Sequence, residues 1–491
     1  MRKSNAGRQS DSRIVPMKSG NSDGGKACYL TLPLKGTHYL HAEVESIMET
    51  KLTRIAELAK AKPNMVFTSL AHYLSEDHLK QCHRQLPVGK ALGTTGVTRE
   101  EYGRNLDENI EDLVKRLERK AYRPTPVRRT YIDKPGSKKK RPLGIPDHED
   151  KIVQRAITKI LNAIYENDFL DSSFGFRPNR NCHDALKVLN IYIEERHTNY
   201  IVDVDIKGFF DNVDHEWMIK FLKHRINDPS LLRIISRFLK GGYMEEGKYY
   251  NTDTGTPQGG VISPILANVY LHYVLDLWFE KVVKKRCKGE AYMVRYADDF
   301  VCCFQSKSEA ENFYKDLVVR LKKFNLEIEE DKTTIIPFGK FSENESKRKG
   351  NGNGKPPTFD FLGFTHFCSQ SRKGRFRVKR KTSRKKTTAK LNSHKQWLRA
   401  NRTKDIAYIM DRLRRSLTGY YNYYCITDNT KEVSKFVDQI KRILFKWMNR
   451  RSQRKSFNWD KFNLFLRKYP LPKPTVQESI YELRNHISYI L

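Results

Sequence analysis

Two adjacent acidic residues, Asp298 and Asp299, interrupt an otherwise apolar stretch in the second half of the chain. The runs on either side, Ala291–Tyr296 and Phe300–Phe304, contain the Val, Tyr and Phe residues that favour strands. This pattern predicts a tight hairpin whose buried strands hold both acids at its tip. Carboxylates at such a tip suit a hard divalent cation, whereas the alternative is an ordinary solvated turn, in which acids are also common.

A second pair of acids lies upstream of this hairpin. Polar and apolar residues alternate over Tyr200–Ile206, which predicts a strand with Asp203 and Asp205 on one face. Carboxylates that share a buried face repel each other unless a cation or a hydrogen-bond donor lies between them. The alternative is an exposed edge strand with its polar face in water. Two acid-bearing strands together favour a two-metal phosphoryl-transfer site.

Two further segments favour phosphate or nucleotide binding. The loop Gly255–Pro264 is rich in Gly and Pro and holds Gln258 on a stiff turn, although alone it is also typical of a surface turn. The segment Tyr131–Pro146 predicts a basic hairpin. In it Lys134 and Arg141 can clamp a triphosphate by charge-assisted hydrogen bonds, the alternative being a solvated charge run.

The charge balance favours a polyanionic partner. The 491 residues include 92 Lys or Arg and 57 Asp or Glu, so the net charge is 92 − 57, or +35. Because Lys and Arg that contact phosphates release counterions, nucleic acid is the predicted partner. The sequence has no apolar run of the roughly 18 residues that a membrane span needs. The lack of such a run argues against a membrane partner. The 8 cysteines form no Cys-x-x-Cys pair, which favours an intracellular protein with reduced cysteines.

The order of the motifs resembles one known family. Six motifs follow one another along the chain. They are the basic hairpin, Phe-Gly-Phe-Arg-Pro-Asn at 174–179, the acidic strand with two following Phe, Thr-Pro-Gln-Gly at 256–259, Tyr-Ala-Asp-Asp at 296–299 and Phe-Leu-Gly at 361–363. This set resembles the group II intron-encoded reverse transcriptase/maturase family, from about residue 85 to about residue 450. The resemblance implies an α+β fold: a right-hand polymerase with fingers and an antiparallel-sheet palm, followed by an α-helical thumb or maturase domain.

The resemblance also implies a division of the chain. No cysteine follows Cys425, so the chain resembles family members that lack the endonuclease domain. The implied segments are a flexible basic tail (1–27), an N-terminal helical extension with a template-clamp loop (28–125), the fingers and palm (126–370), the helical thumb or maturase domain (371–455) and a short C-terminal region that could bind DNA (456–491).

In this family the metal-binding acids are one acid of the first strand and both acids of the hairpin. Matching the spacing to the two Phe assigns these roles to Asp205, Asp298 and Asp299, and leaves Asp203 structural. The backbone carbonyl of Ile206 is a further implied metal ligand. The implied cofactor is Mg²⁺, as two ions, with Mn²⁺ as a substitute.

The resemblance assigns the incoming nucleotide to residues around the two Phe. Phe210, or alternatively Phe209, would form an aromatic gate near the sugar, and Gln258 would lie near the nucleotide. Lys134 and Arg141 would contact its phosphates. The hairpin is one residue longer than the commonest family version, so Lys140 is the alternative to Arg141.

The last part of the resemblance concerns primer and RNA. Phe361, Leu362 and Gly363 resemble the primer-gripping hairpin. Residues 371–402 contain 14 Lys or Arg and no Asp or Glu, which favours RNA binding. The tyrosines of 419–424 would either stack on RNA or form a helix core. The residues predicted to bind RNA are Arg372, Lys373, Arg380, Lys381, Lys385 and Lys386.

The predicted function is RNA-directed DNA polymerisation by two-metal nucleotidyl transfer, with binding of intron RNA to assist splicing and retrohoming. The implied partners are an RNA template, such as a group II intron RNA, a DNA primer or target, and dNTPs. The alternatives are a splicing maturase without polymerase activity and a domesticated reverse transcriptase in DNA repair or phage defence. The resemblance places the protein in the bacterial cytoplasm as part of a ribonucleoprotein.

Overall fold

A computed structural model describes residues 39–133, 140–340, 357–451, 457–485 and 487. The predicted tail over 1–27 and the predicted phosphate ligand Lys134 lie outside these ranges. The main helices are Tyr39–Ala61, Glu76–Gln85, Arg99–Tyr102, Leu106–Glu118, His148–Tyr165, Cys182–Glu194, His215–Lys223, Pro229–Leu239, Ser263–Leu271, Lys284–Arg286, Lys307–Lys322, Arg384–Asn401, Ile406–Tyr424, Thr430–Met448 and Trp459–Lys468. The strands are β1 (Val127–Asp133), β2 (Lys140–Ile145), β3 (Tyr200–Val204), β4 (Tyr243–Glu245), β5 (Lys248–Tyr250), β6 (Ala291–Tyr296), β7 (Asp299–Phe304), β8 (Thr334–Pro337), β9 (Phe359–Phe361), β10 (Phe364–Gln370) and β11 (Phe376–Thr382).

Four strands form an antiparallel sheet in the order β6-β7-β3-β8, which we call the palm sheet. Alternate residues enter different cores: Val202 and Phe300 belong to the largest core, whereas Ile201 and Val301 belong to a second core that includes residues of helix Cys182–Glu194. Because both faces are covered, the strands are almost entirely apolar. The three strands predicted here are confirmed, apart from one or two residues at their ends.

A second four-stranded sheet, in the order β2-β1-β4-β5, is called here the fingers sheet. Strands β1 and β2 form the predicted basic hairpin, with Asp133 opposite Lys140 at its outer end. Strands β4 and β5 turn through Glu246 and Gly247, whose φ angles of 49° and 79° are those of a tight two-residue turn. This second hairpin, absent from the sequence prediction, pairs in parallel with β1.

Strands β9, β10 and β11 form a third, antiparallel sheet. The segment that resembles a primer-gripping hairpin does fold as a hairpin, between β9 and β10. Leu362 and Gly363 have φ angles of 49° and 79°, so the chain reverses there. The predicted boundary between residues 370 and 371 falls between β10 and β11, which pair over seven positions.

The C-terminal part is helical, and four helices between Arg384 and Lys468 enclose their own apolar core. Val433, Val437 and Ile440 follow one another at intervals of four and three residues, and this spacing predicts an amphipathic helix. The prediction is confirmed: the residues lie in helix Thr430–Met448 and are buried. Its buried face packs against helix Arg384–Asn401. Among the described helices, none is long and apolar enough to cross a membrane.

Candidate active site

The hairpin of β6 and β7 holds both acids of the Tyr-Ala-Asp-Asp motif at its tip. Tyr296 pairs with Asp299, so Ala297 and Asp298 form a two-residue turn. Ala297 has a φ of +61°, a conformation that residues other than glycine rarely adopt. Asp299 is exposed and Asp298 is half-buried. The predicted hairpin is confirmed, with the acids at the surface and the strands buried.

A buried guanidinium fixes the carbonyl side of this turn. Arg295 is fully buried and forms an ion pair with Asp276, with Nε to Oδ1 at 2.7 Å. Its Nη1 also donates to the carbonyl of Ala297 at 2.9 Å and to Asn268 Oδ1 at 3.1 Å, and its Nη2 donates to Ser173 Oγ at 2.7 Å. Sequence reasoning missed Arg295, although a charged residue inside an apolar strand was the available signal.

The Phe-Gly-Phe-Arg-Pro-Asn motif packs closely against the same turn. The amide of Phe174 donates to the carbonyl of Arg295 at 2.8 Å, so this segment lies along β6. A Cβ atom on Gly175 would lie 2.3 Å from the amide nitrogen of Ala297, which leaves room only for glycine. The motif therefore positions the hairpin tip, which explains its place in the set of motifs.

The palm sheet brings the acids of the two strands together. Strand β3 pairs with β7 through Asp203 opposite Val301 and Val204 opposite Phe300, so the next position along the same register places Asp205 opposite Asp299. Burial, together with the nearby carboxylates of Asp299, Asp205 and Asp360, raises the pKa of Asp203 to about 7. The end of the sheet therefore concentrates negative charge.

Asp205 is neutralised by a lysine that the sequence analysis did not identify. Lys332 Nζ lies 2.8 Å from Asp205 Oδ2 and 3.7 Å from a Glu329 carboxylate oxygen. The amide of Glu329 donates to the carbonyl of Asp205 at 2.8 Å, so this turn is fixed to the end of β3. Lys332 follows a run of acidic residues, so in the sequence it resembles an ordinary surface charge.

The acids at the end of the palm sheet offer oxygen donors, the type of donor that a hard cation binds. In the part of the chain that the structure describes, no three His, Cys, Asp or Glu side chains converge closely enough to hold a metal ion. Asp205 instead contacts the ammonium group of Lys332, which carries positive charge where a cation would be attracted. Carboxylate oxygens are the ligands that Mg²⁺ prefers. The carboxylate oxygens therefore suit Mg²⁺, and in this structure the ammonium group of Lys332 balances the charge of Asp205.

The two Phe after Asp205 have different environments. Phe209 is 2% exposed and packs against Tyr270 in the main core, so it is not available as an aromatic gate. Phe210 is half-buried, and its carbonyl accepts a hydrogen bond of 2.7 Å from the amide of Thr256. The turn that carries Phe210 is thus joined to the Thr-Pro-Gln-Gly loop, and the two predicted nucleotide-binding segments are neighbours.

The Gln258 loop also joins the fingers sheet. The amide of Gly144 in β2 donates to the carbonyl of Gln258 at 2.7 Å. Burial raises the pKa of Asp211, and Arg129 and Arg141 partly offset that rise. Both guanidinium groups therefore lie within electrostatic reach of Asp211, next to Phe210, whereas Lys140 makes no such contribution.

The predicted primer grip is a hairpin tip docked on the helical region. The hydroxyl of Tyr423 donates to the carbonyl of Leu362 at 2.9 Å, and a Cβ atom on Gly363 would lie 3.1 Å from the hydroxyl of Tyr424. Phe361 is buried in the second core, so only Leu362 and Gly363 lie at the half-buried tip.

The predicted RNA-binding residues divide by exposure. Arg380 is 1% exposed and donates to Asn190 Oδ1, so its assignment to RNA is wrong: alternation along β11 turns its side chain into the core. The tyrosines of 419–424 pack mainly as helix core, with Tyr420 and Tyr421 buried. Arg372, Lys373, Lys381 and Lys385 are exposed, and Lys386 is half-buried.

Two known families match the chain. Residues 132–366 match "Reverse transcriptase (RNA-dependent DNA polymerase)", and residues 378–465 match "Group II intron, maturase-specific domain". The first match covers the palm sheet and, in the fingers sheet, β2, β4, β5 and the last two residues of β1; the second covers most of the helical region.

Curated relatives point in the same direction. "Group II intron-encoded protein LtrA" of Lactococcus lactis subsp. cremoris is 42% identical over 231 residues, 46% of this chain and 38% of LtrA. "Uncharacterized 91 kDa protein in cob intron" of Schizosaccharomyces pombe is 34% identical over 235 residues, 47% of this chain and 29% of that protein. "Protein YkfC" of Escherichia coli is 32% identical over 273 residues, 50% of this chain and 71% of YkfC. The matched stretch thus spans well under half of the first two relatives.

Proposed function

The chain belongs to the group II intron-encoded reverse transcriptase/maturase family, and on that premise we propose that it is an RNA-directed DNA polymerase that copies RNA into DNA. The observation that carries the proposal is the register of the palm sheet, which sets Asp205 against the hairpin that bears Asp298 and Asp299. Its substrates are an RNA template, a DNA primer and dNTPs.

In this mechanism Asp205, Asp298 and Asp299, with the carbonyl of Ile206, would hold Mg²⁺ at the end of the palm sheet. When bound, the metal ions lower the pKa of the primer 3′-hydroxyl and neutralise the departing pyrophosphate. Lys332 Nζ lies 2.8 Å from Asp205 Oδ2 and would have to give up this contact for that oxygen to bind a cation.

The incoming nucleotide lies between the fingers sheet and Phe210. Arg141 binds its phosphates, because a guanidinium offers several fixed donors to phosphate oxygens. Phe210 contacts the sugar, and Gln258 borders the base from a loop fixed by the 2.7 Å bond between Gly144 and Gln258. Leu362 and Gly363 hold the primer end.

A maturase function is the second part of the proposal. The match of residues 378–465 to the maturase-specific domain favours it, together with the exposed Arg372 and Lys373 just before that region and Lys381 and Lys385 at its start. These residues bind the backbone of an intron RNA, assisting splicing and retrohoming inside the cell as a ribonucleoprotein. The protein would carry out these functions with the fingers and palm over 126–370 and the thumb over 371–455.

Primer extension tests the polymerase directly. The protein is incubated with a DNA primer on an RNA template, four dNTPs and Mg²⁺, and the expected product is full-length cDNA. Asp205→Ala should abolish the product, whereas Asp331→Asn, which changes an exposed acid next to Lys332, should retain it. An Asp205→Ala variant that extends primers as well as the wild type would refute the assignment.

A further inference from the structure

One peptide unit joins the two segments that carry Phe210 and Gln258. Its N–H group, the amide of Thr256, donates to the carbonyl of Phe210 at 2.7 Å. Its carbonyl group, that of Gly255, lies 2.7 Å from Nε2 of His215. Because a carbonyl oxygen can only accept, Nε2 carries the proton and donates it. His215 and Phe210 therefore hold opposite ends of the same peptide unit.

The backbone on either side of this peptide unit is in close contact with the turn that carries Phe210. Gly255 has a φ of +91°, and a Cβ atom on it would lie 2.8 Å from the carbonyl oxygen of Asp211, so only glycine fits. The amide of Gly255 donates to the carbonyl of Val213 at 2.7 Å, and Thr254 Oγ1 donates to the carbonyl of Asp211 at 3.2 Å. The start of the loop and the turn therefore form one hydrogen-bonded unit.

The far end of the loop is held by a different element. Gln154 lies on helix His148–Tyr165, and its Oε1 accepts a hydrogen bond of 2.7 Å from the amide of Val261. The loop is thus fixed by one side chain at each end. The end at Gly255 is the one that is bonded to the turn of Phe210, so His215 controls how these two segments lie against each other.

His215 is not required to begin its own helix. It is the first residue of helix His215–Lys223, but the cap is Asp214, whose Oδ1 accepts a hydrogen bond of 2.9 Å from the amide of Trp217. The ring of His215 is 6% exposed and reaches the loop across 40 positions of the sequence. Among the described residues its Nδ1 has no hydrogen-bond partner. The hydrogen bond of this ring therefore serves the loop.

We propose that His215 is a positioning residue that sets the selectivity of the nucleotide site for deoxyribonucleotides. The proposal rests on the proposed polymerase function, in which Phe210 contacts the sugar. His215 fixes the Gly255–Thr256 peptide unit, and that unit fixes the backbone of Phe210. The buried Phe209 supports the Phe210 ring at a centroid distance of 5.4 Å. A ring held in this way resists displacement by a ribose 2′-hydroxyl group, whereas deoxyribose requires no displacement.

Two substitutions of His215 separate the hydrogen bond from the space that the ring fills. His215→Met removes the donor but occupies a similar volume. His215→Gln keeps a nitrogen donor at a similar distance from the backbone. If the Met variant does not fold, His215→Asn replaces it, because its shorter amide does not reach the carbonyl of Gly255. Thermal unfolding of each variant verifies folding.

The chain offers a matched control in His78 of helix Glu76–Gln85. Its ring is fully buried, and its Nδ1 lies 2.8 Å from the carbonyl oxygen of Tyr73. Among the residues that the structure describes, its Nε2 has no hydrogen-bond partner. His78→Met therefore removes an equivalent buried hydrogen bond from a different helix, and it reports the effect of lost stability alone.

The first measurement requires no catalysis. Hydrogen exchange at the amides of Gly255 and Thr256 reports whether the peptide unit is held in place. In His215→Met both amides should exchange at least about tenfold faster than in the wild type. His215→Gln and His78→Met should exchange at close to the wild-type rate.

The second measurement is the incorporation of one nucleotide on a DNA primer and an RNA template. It gives kcat/KM for a dNTP and for the matching rNTP, and their ratio is the selectivity. His215→Met should lower this ratio about ten- to hundredfold, and Phe210→Ala should lower it at least as far. His215→Gln and His78→Met should stay within about threefold of the wild type.

Three results would overturn the proposal: a wild-type ratio in His215→Met, an equal loss in His78→Met, or an equal loss in His215→Gln. Faster exchange in His215→Met with an unchanged ratio also overturns it, because the hydrogen bond would then be a structural contact only. A wild type that incorporates neither nucleotide would instead refute the polymerase proposal. An active wild type with an unaltered ratio in His215→Met refutes the role of His215 alone.

Discussion

At the scale of single residues, Arg295 has the most direct influence on the hairpin tip. Its guanidinium is fully buried and paired with Asp276, and it fixes the carbonyl of Ala297 next to the two acids. Breaking one partner of a buried pair leaves an uncompensated charge in the core. The position of Asp298 and Asp299 thus depends on Arg295, which is not one of the proposed metal ligands.

We expect Arg295→Met to lower the free energy of unfolding by about 3–5 kcal/mol, since Asp276 would remain buried without its partner. The control is Arg286→Ala, which removes an exposed pair with Asp316 at 3.5 Å and should cost less than about 1 kcal/mol. Denaturant unfolding measures both. Equal losses would show that the Arg295 pair contributes no more than a surface contact.

At the scale of elements, Asp150 joins helix His148–Tyr165 to the chain entering β1. Its carboxylate accepts hydrogen bonds from the hydroxyl of Tyr122 and, at 3.0 Å, from the amide of Thr125. Burial raises its pKa from 3.8 to about 7, although the hydrogen bonds from Tyr122 and Thr125 act in the opposite direction. The folded protein therefore binds a proton here more tightly than the unfolded chain.

This shift predicts a pH dependence of stability. Because the folded pKa is the higher one, the contribution of Asp150 is complete below about pH 4 and is lost as the pH rises to about 7, up to about 4 kcal/mol in all. Asp150→Asn keeps an acceptor for Tyr122 and should flatten that part of the profile, whereas the exposed Asp316→Asn should not. An unchanged slope in Asp150→Asn would contradict the assignment.

The segment after the last helix ties the helical region back to the palm. Its amide at Gln477 donates to the carbonyl of Cys425 at 2.7 Å, and Glu478 pairs with the buried Lys187 at 3.1 Å. Arg484 pairs with Asp184, whose side chain is fully buried, and Ile480 enters the second core. The segment thus holds two parts of the molecule together.

Replacing Glu478 and Arg484 together by Ala should loosen this segment, because Lys187 and Asp184 would lose their partners. Hydrogen exchange over residues 476–485 should accelerate at least about tenfold, which corresponds to about 1.4 kcal/mol of local stability. Glu482→Ala, an exposed change within the same segment, should leave exchange unchanged. If the double variant exchanges at the wild-type rate, the two pairs do not hold the segment.

Sequence reasoning located the elements with a strong local signal and missed those that depend on tertiary contacts. The apolar runs around Asp298 and the 3-4 spacing around Val433 each specify their element locally, and both are confirmed. The β4–β5 hairpin has strands of only three residues, too short for a visible alternation. Arg295 and Lys332 read as ordinary charges, because their partners lie far away in the sequence.

At the scale of the whole molecule, the net charge of +35 should make RNA affinity fall steeply with salt. Replacing the exposed Arg372, Lys373, Lys381 and Lys385 by Gln should flatten the plot of log K against log salt by roughly 0.7–0.9 for each phosphate that the variant no longer neutralises. Replacing Lys315 and Lys322, on a helix behind the palm sheet, should leave the slope unaltered. Equal slopes in wild type and fourfold variant would place the RNA elsewhere.

The proposed metal-dependent polymerisation site consists of Asp298, Asp299 and Asp205. The most direct test is the rate of adding one dNTP to a primer on a bound RNA template, for wild type and Asp298→Asn, with RNA affinity measured on the same samples. Asp298→Asn should lower this rate at least about a thousandfold, roughly 4 kcal/mol of barrier, and should keep RNA affinity within about twofold of wild type. A wild-type rate in Asp298→Asn, or a loss of RNA affinity that parallels the loss of rate, would contradict it.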